Sequence, residues 1–469
     1  MAFYHGVSTR QTETSISTPV RTSSGVTFAV GTAPVHVVDV GNSRGKNVNE
    51  PIYGGNYNEA ANTLGYGENW KNYTLCEVMY SQYRLYTTSP VIFVNVLDPA
   101  VHRKTTAAAS FAVNNRRVKL PFEALKDTVA IENYKAGEDF DSFYDGFNLV
   151  VELLDSGAIP ASVTEISVSF DEVDPSQVTK ADIIGGFNIA TKMTSGIELI
   201  EMVFPKYGII PDIIICPAWS HDSEVAAIMG AKAASINDIF EAKALIDVDT
   251  SIVTHYTDVP EFKRKNNIFS KTQVLCFPMC RLGDRLFHLS TQMAGVMART
   301  DSATYDCPAE SPSNKSLQID STVLQDGREI FLDLTQANFL NSNGITTALN
   351  FIGGFVLWGN YTACYPANTD VKDYFLNVSR MFGWVSKVAI LSSWNRVDKN
   401  ISRRFIDNIV NSLNIWLNGL TADELILGGR IEFREEDNPV TSLMSGRVKF
   451  KIFLTPPSPA QEIMYSKLT

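Results

Sequence analysis

No stretch of this sequence approaches the roughly 18 consecutive apolar residues that a membrane-spanning helix requires. The best run, ALNFIGGFVLWG at 348–359, is too short and is broken by a glycine pair. Cysteine is scarce, with six in 469 residues, and only Cys276 and Cys280 lie close together. Their surroundings, VLCFPMC, lack the CxxC spacing of a zinc knuckle, so buried reduced thiols are expected, with no metal site. Basic charge is in deficit. Lys and Arg number 40 against 51 Asp and Glu, a net charge of −11. A general nucleic-acid binder would show a basic footprint, so this balance argues against one, and equally against binding to anionic membranes. The opening MAFYHGVSTRQTETSISTPV lacks the apolar core of a secretory signal, so folding in a cytoplasm is expected.

Catalytic signatures are missing too. There is no GxxxxGK[ST], no GxGxxG between a strand and a helix, no HExxH and no GxSxG. The stretch GNSRGKN at 41–47 has glycines and a lysine without phosphate-loop spacing, and reads as a turn. The strongest cluster is Asp212 with Ser220, His221 and Asp222, after a run of β-branched residues. Adjacent side chains cannot converge as nucleophile, base and orienter, so a helix N-cap beside a surface histidine is the plainer reading. Asp139 with Asp141, and Glu435, Glu436 and Asp437, read as solvated turns. No cofactor is expected. A hydrolase-like α/β enzyme with an unrecognised site remains the alternative.

What is present is an ordinary globular composition, 45% hydrophobic and 19% charged. This length suggests two to four domains. The expected class is α/β (α+β overall), multidomain, with a mixed sheet-and-helix core, an inserted small β domain and extended arms at both ends. Residues 1–24 form a polar, β-branched N-terminal arm. Residues 25–96 begin the core. Residues 97–176 are strand-like and form the insertion, with Ile166, Val168 and Phe170 alternating against polar neighbours. Residues 177–343 alternate strands and helices, as in DIIIC at 212–216 followed by a helix. Residues 344–445 are expected to carry helices over 346–358, 371–391 and 399–418. Two long strands should cover 429–434 and 446–455, and residues 446–469 form a C-terminal strand and linking arm.

The ends carry the strongest functional hint. The strand over 447–454 would present a long apolar edge, a hazard unless paired. The arm cannot bury itself alone. Together they suggest strand exchange between subunits, with Val7, Thr9, Gln11, Thr12, Ile16 and Val20 on the arm; taken alone, the arm reads equally as a disordered terminus. The receiving sheet would hold Ile431, Phe433, Val448, Phe450, Ile452 and Leu454. In 399–418, Ile401, Phe405, Ile409, Leu413 and Trp416 form one apolar stripe, while Lys399, Arg403 and Arg404 put positive charge on the first turns.

Several stretches resemble the major tail sheath proteins of contractile phage tails and R-type, phage-tail-like bacteriocins. They are FYHGV at 3–7, TKADIIGG at 179–186, GIELIEMVFPKYGIIPDIIICPAWSHD at 196–222, MARTDSATYDCPAESPSNK at 297–315 and the terminal GRIEFREEDNPVTSLMSGRVKFKIFLTPPSPAQEI. LWGNYT at 357–362 is similar to a WG-x-R-T stretch, with Tyr361 where many members have Arg. The resemblance covers nearly the whole chain except 97–176. It implies a structural subunit, not an enzyme, that polymerises as stacked hexameric rings around an inner tube. Such a sheath is held extended and contracts to drive the tube through a target envelope. The implied partners are copies of itself, the inner tube protein, and baseplate and terminator or collar proteins, without nucleic acid or membrane insertion. Lys399, Arg403 and Arg404 would face the tube. The implied location is a virion tail or tail-like particle, assembled in the bacterial host cytoplasm and released on lysis. A static, non-contractile shell is the further alternative.

Overall fold

Short, largely apolar runs build the main sheet, and five of its eight strands are buried along their whole length. The computed structural model describes residues 19–20, 22–38, 47–146 and 148–466. Contacts divide the chain into two units. The larger comprises Ser24–Arg380, and the smaller comprises Met1–Ser23 with Met381–Thr469.

In the larger unit, eight strands form one sheet: β1 (Thr27–Gly31), β2 (Ile52–Gly54), β3 (Val91–Asn95), β4 (Ile213–Ile215), β5 (Lys243–Asp247), β6 (Gln273–Cys276), β7 (Ile345–Asn350) and β8 (Phe355–Trp358). Their order is β8-β7-β6-β5-β4-β1-β3-β2. The pairs from β3 to β7 are parallel, and the two outer strands run antiparallel to their neighbours. Parallel strands covered on both faces need continuous apolar runs, and IIIC after Asp212 is such a run. Helices α1 (Ser223–Ala234) and α2 (Leu289–Ala303) connect strands.

Both borders of this sheet are blunted. Beside β8, the segment 314–317 bonds to its backbone: Leu357 N–H donates to Lys315 C=O at 2.9 Å and Leu317 N–H to Phe355 C=O at 2.9 Å. The other border, β2, has three residues. Tyr83 Oη donates to its Gly54 carbonyl at 2.6 Å, and Tyr207 Oη to the adjoining Pro51 carbonyl at 2.6 Å.

Residues 103–173 make two three-stranded sheets around their own core, which includes Val118, Phe140, Leu149, Val151, Val168 and Phe170. The first and last residues of this segment, Arg103 and Val173, are partners across an antiparallel ladder.

The smaller unit holds most of α3 (Leu376–Ser393), all of α4 (Arg403–Ala422) and a hairpin of β9 (Gly428–Phe433) and β10 (Phe450–Thr455). The helix expected over 346–358 is not formed. Those residues are β7, a turn and β8, because Gly353 and Gly354 take positive φ values of 77° and 113° and reverse the chain. The helix expected over 371–391 breaks at Phe375, which is extended with ψ 122°, so α3 starts at Leu376. The segment at 35–37 is a short 3-10 turn.

Candidate functional site

The strand ends of the large sheet, where α/β folds place ligands, are filled by the chain's own side chains. Ser220 is fully buried, and its Oγ donates to Asp247 Oδ2 at 3.0 Å. Asp247 also accepts from Ser290 N–H at 3.0 Å and from Ser290 Oγ. Asp222 Oδ1 caps α1 by accepting from Glu224 N–H at 2.9 Å, and His221 lies half-buried beside it. Ser220 and Asp222 thus serve two separate structural tasks, and the three side chains do not converge on one point. Asp212 is buried at the start of β4, and its N–H donates to Val26 C=O at 2.9 Å. Nearby, His288 Nδ1 lies 2.8 Å from Glu77 Oε2, and Glu77 Oε1 accepts from His288 N–H at 2.7 Å. Burial alone would lower the pKa of His288, but the Glu77 carboxylate outweighs it and lifts it to about 9. Among the described residues no group of three or more His, Cys, Asp or Glu could hold a metal ion.

The smaller unit holds the other candidate region, two helices and a two-stranded hairpin. Its helices form because α4 keeps apolar residues at steps of three and four. Ile409, Leu413, Leu417 and Leu420 are buried, and Trp416 packs on Trp384 of α3 with ring centroids 5.5 Å apart. Ser402 begins α4 as N-cap, its Oγ accepting from Phe405 N–H at 3.1 Å. The root of the N-terminal arm rests on these helices. Trp384 Nε1 donates to Thr22 C=O at 3.2 Å, and Val20 N–H donates to Ser392 Oγ at 2.9 Å. Pro19 sits in a small cleft with Ser393, Ile409 and Leu413. Of the expected arm residues, Val20 is about half exposed, while Val7, Thr9, Gln11, Thr12 and Ile16 lie outside the described residues.

The hairpin places five of the six expected sheet residues in strands. Ile431 pairs with Ile452, Phe433 with Phe450, and Leu454 with Gly429. Val448 precedes the strand, which is shorter than the expected 446–455. Asn438 explains the early end. Its amide donates to Arg434 C=O and Lys449 C=O, each at 2.9 Å, and its Oδ1 accepts from Lys449 N–H at 2.7 Å, so a side chain replaces the next rung of the ladder.

Directly opposed residues share a face. One face carries Ile431, Phe433, Phe450, Ile452 and Leu454. Helix α4 buries Ile431 to 2% exposure yet leaves Ile452 39% exposed. The other face carries Glu432 between Arg430 and Arg434, and both guanidinium groups lie over the Phe453 ring.

Lys399 lies before α4 rather than on its first turn, whereas Arg403 and Arg404 open the helix. All three are exposed and form no ion pair among the described residues. Tyr361 joins a ring cluster with Tyr365, Tyr374 and Phe375, at centroid distances of 4.4, 5.2 and 5.6 Å. Asn414 and Asn438 were not singled out in the sequence. The available signal was an asparagine inside a long helix, a position this residue disfavours unless its amide has a task.

No protein-family model matches the chain. The chain is 30% identical over 484 aligned positions, covering 99% of it and 96% of the relative, to a tail sheath protein of Burkholderia phage BcepMu. It is 24% identical over 311 positions, 64% of this chain and 75% of the relative, to a putative prophage major tail sheath protein of Pseudomonas aeruginosa. Among solved structures, the sheath complex of the extracellular contractile injection system PVC, in its contracted state, aligns with a TM-score of 0.59 at 11% identity, covering 100% of this chain and 98% of the other. The contracted helical sheath of the anti-feeding prophage aligns with a TM-score of 0.59 at 12% identity, over 99% and 98% of the two chains. At those identities the structural likeness speaks for the fold.

Proposed function

We infer the function from one premise: this chain belongs to the tail sheath protein family. It is a structural subunit of a contractile tail sheath, acting by assembly rather than by catalysis. Copies stack as hexameric rings around an inner tube in an extended state. Contraction then drives the tube through a target envelope. Partners are further copies of this chain, the inner tube protein, the baseplate and a terminator or collar. The particle is a virion tail or a tail-like relative, assembled in the host cytoplasm and released on lysis.

The observation that carries this reading is the pairing of an incomplete sheet with an anchored arm. A two-stranded hairpin is marginal by itself and gains from added strands. The N-terminal arm leaves from Pro19, a fixed point on α3 and α4, and supplies residues 1–18 to another subunit. Backbone ladders of this kind keep subunits joined while rigid bodies rotate. Residues 97–176 form the outer, variable part, and Lys399, Arg403 and Arg404 face the tube.

Deleting residues 1–18 tests the reading. The chain should remain a folded, soluble monomer, because the arm root from Pro19 onward is retained, and it should form no sheaths under the electron microscope. Sheaths of normal length from that deletion would refute it. Wild-type sheaths of a single diameter under all conditions would favour a static shell.

A further inference from the structure

The hairpin is not equally open on its two borders. Asn414 of α4 lies along the outer border of β9 and grips Ile431 at both ends. Its Oδ1 accepts from Ile431 N–H at 2.7 Å, and its Nδ2 donates to Ile431 C=O at 2.9 Å. An asparagine amide used this way imitates one residue of a neighbouring strand. In an antiparallel ladder, residues alternate between those bonded to their partner and those whose N–H and C=O point outward. Ile431 therefore belongs to the outward set of β9. Its register partner Ile452 belongs to the outward set of β10, together with Phe450 and Leu454. The bonds of Asn438 agree with this parity, since Lys449 turns its N–H and C=O inward, toward the Arg434 side. No strand pairs with the outer border of β10 among the described residues.

We propose that Asn414 closes the β9 border, so the sheet accepts the N-terminal arm of a second copy on the β10 border only, at Phe450, Ile452 and Leu454. This rests on the strand-exchange reading above. Two further observations point to the same border. Ile452 is the apolar residue at the middle of the strand that helix α4 leaves exposed, so a strand added there covers it, whereas Ile431 is already buried. The arm has reach, because 18 extended residues beyond Pro19 span about 60 Å. A one-sided acceptor also fixes assembly order. Any second added strand has to stack on the first rather than on β9.

The test uses the full-length chain as soluble monomer and a synthetic peptide of its residues 1–20. Residue-resolved amide exchange should slow by at least about tenfold at Phe450, Ile452 and Leu454, and stay unchanged at Gly429 and Phe433. Ile452→Pro removes an outward N–H, which an edge position tolerates, and should abolish that protection. Asn414→Leu should open the closed border, so that protection appears at Gly429, Ile431 and Phe433 as well. Protection confined to β9 in the wild-type chain would overturn the border assignment while leaving strand exchange intact. An Asn414→Leu chain that still takes peptide on β10 alone would overturn the role of Asn414. Protection on neither strand also refutes the proposal, and the reading beneath it then stands or falls on the deletion of residues 1–18.

Discussion

Arg380 forks onto Asp301, donating to both carboxylate oxygens, with both side chains almost fully buried. Ser24 Oγ adds a third donor to the same carboxylate at 2.9 Å. Burial by itself would make Arg380 easier to deprotonate, but the carboxylate outweighs this and holds it charged. Asp301 is the aspartate of the MARTD stretch. The structure gives it a packing task, tying residues far apart in the chain to one point.

Breaking this pair from one side leaves a buried charge without its partner. Asp301→Ala should therefore cost about 3–5 kcal/mol in unfolding by denaturant. The double change Asp301→Leu with Arg380→Met should cost less than the single one, because it removes both charges. A single variant with an unchanged denaturation midpoint would show that the pair adds nothing.

A second prediction concerns pH. The pKa of His288 is raised from 6.5 to about 9 in the folded chain by Glu77. The stabilisation from its proton is complete below about pH 6.5 and is lost as pH rises through about 9. Other groups also titrate in that range, so the difference between wild type and His288→Gln is the quantity to follow. That difference should shrink steadily from pH 6.5 to pH 9. A difference independent of pH would mean the imidazole is not held as a cation.

The basic start of α4 yields a third. Arg403→Glu with Arg404→Glu places acid at a helix N-terminus, which favours the isolated helix by about 0.3–1 kcal/mol each. The monomer should fold at least as well as wild type. If these residues grip acidic groups on the tube, extended sheaths should instead slip from their tubes at lower salt, while contracted sheaths look normal. Exposed ion pairs are worth about 0–1 kcal/mol each, so the effect depends on repetition along the tail. Extended particles as abundant and as salt-resistant as wild type would exclude the tube contact.

A fourth concerns the segment 103–173. Arg103 and Val173 are paired, and Asp174 N–H donates to His102 C=O at 2.9 Å, so the flanking ends already meet. Excising residues 103–173 and joining His102 to Asp174 through a short Gly-Ser bridge should leave a folded chain that still assembles. A modest loss of stability is expected, because Phe122 packs on Tyr73 and His36 of the remaining core. Failure to assemble despite correct folding would place essential contacts in this segment.

The parallel core was legible because its strands are short β-branched runs between turn signals, as at Ile213–Ile215. The stretch 346–358 was misread because TTALNFIGGFVLW suits either period. The deciding feature, two glycines reversing the chain, was counted only against a membrane span. Strand β10 was expected too long because Val448 continues the alternation, and nothing in that pattern signals that the Asn438 side chain ends the ladder. Lys399 was placed on α4 by spacing alone, while Ser402 was the better start signal. Of the candidate site, the hairpin was legible from alternation, since Ile431, Phe433, Phe450, Ile452 and Leu454 all lie in its strands. The closed border was not, since a bidentate amide depends on a helix and a strand meeting in three dimensions.

A sheath subunit must associate through the right surface and through no other. Wide parallel sheets are dangerous in that situation, since exposed borders recruit one another into fibres. Here the large sheet hides one border under 314–317 and has a three-residue strand at the other, with carbonyls occupied by Tyr83 and Tyr207. The larger unit thus carries its own protection against border-to-border pairing, the wrong kind of polymer for a chain that must assemble in one way only.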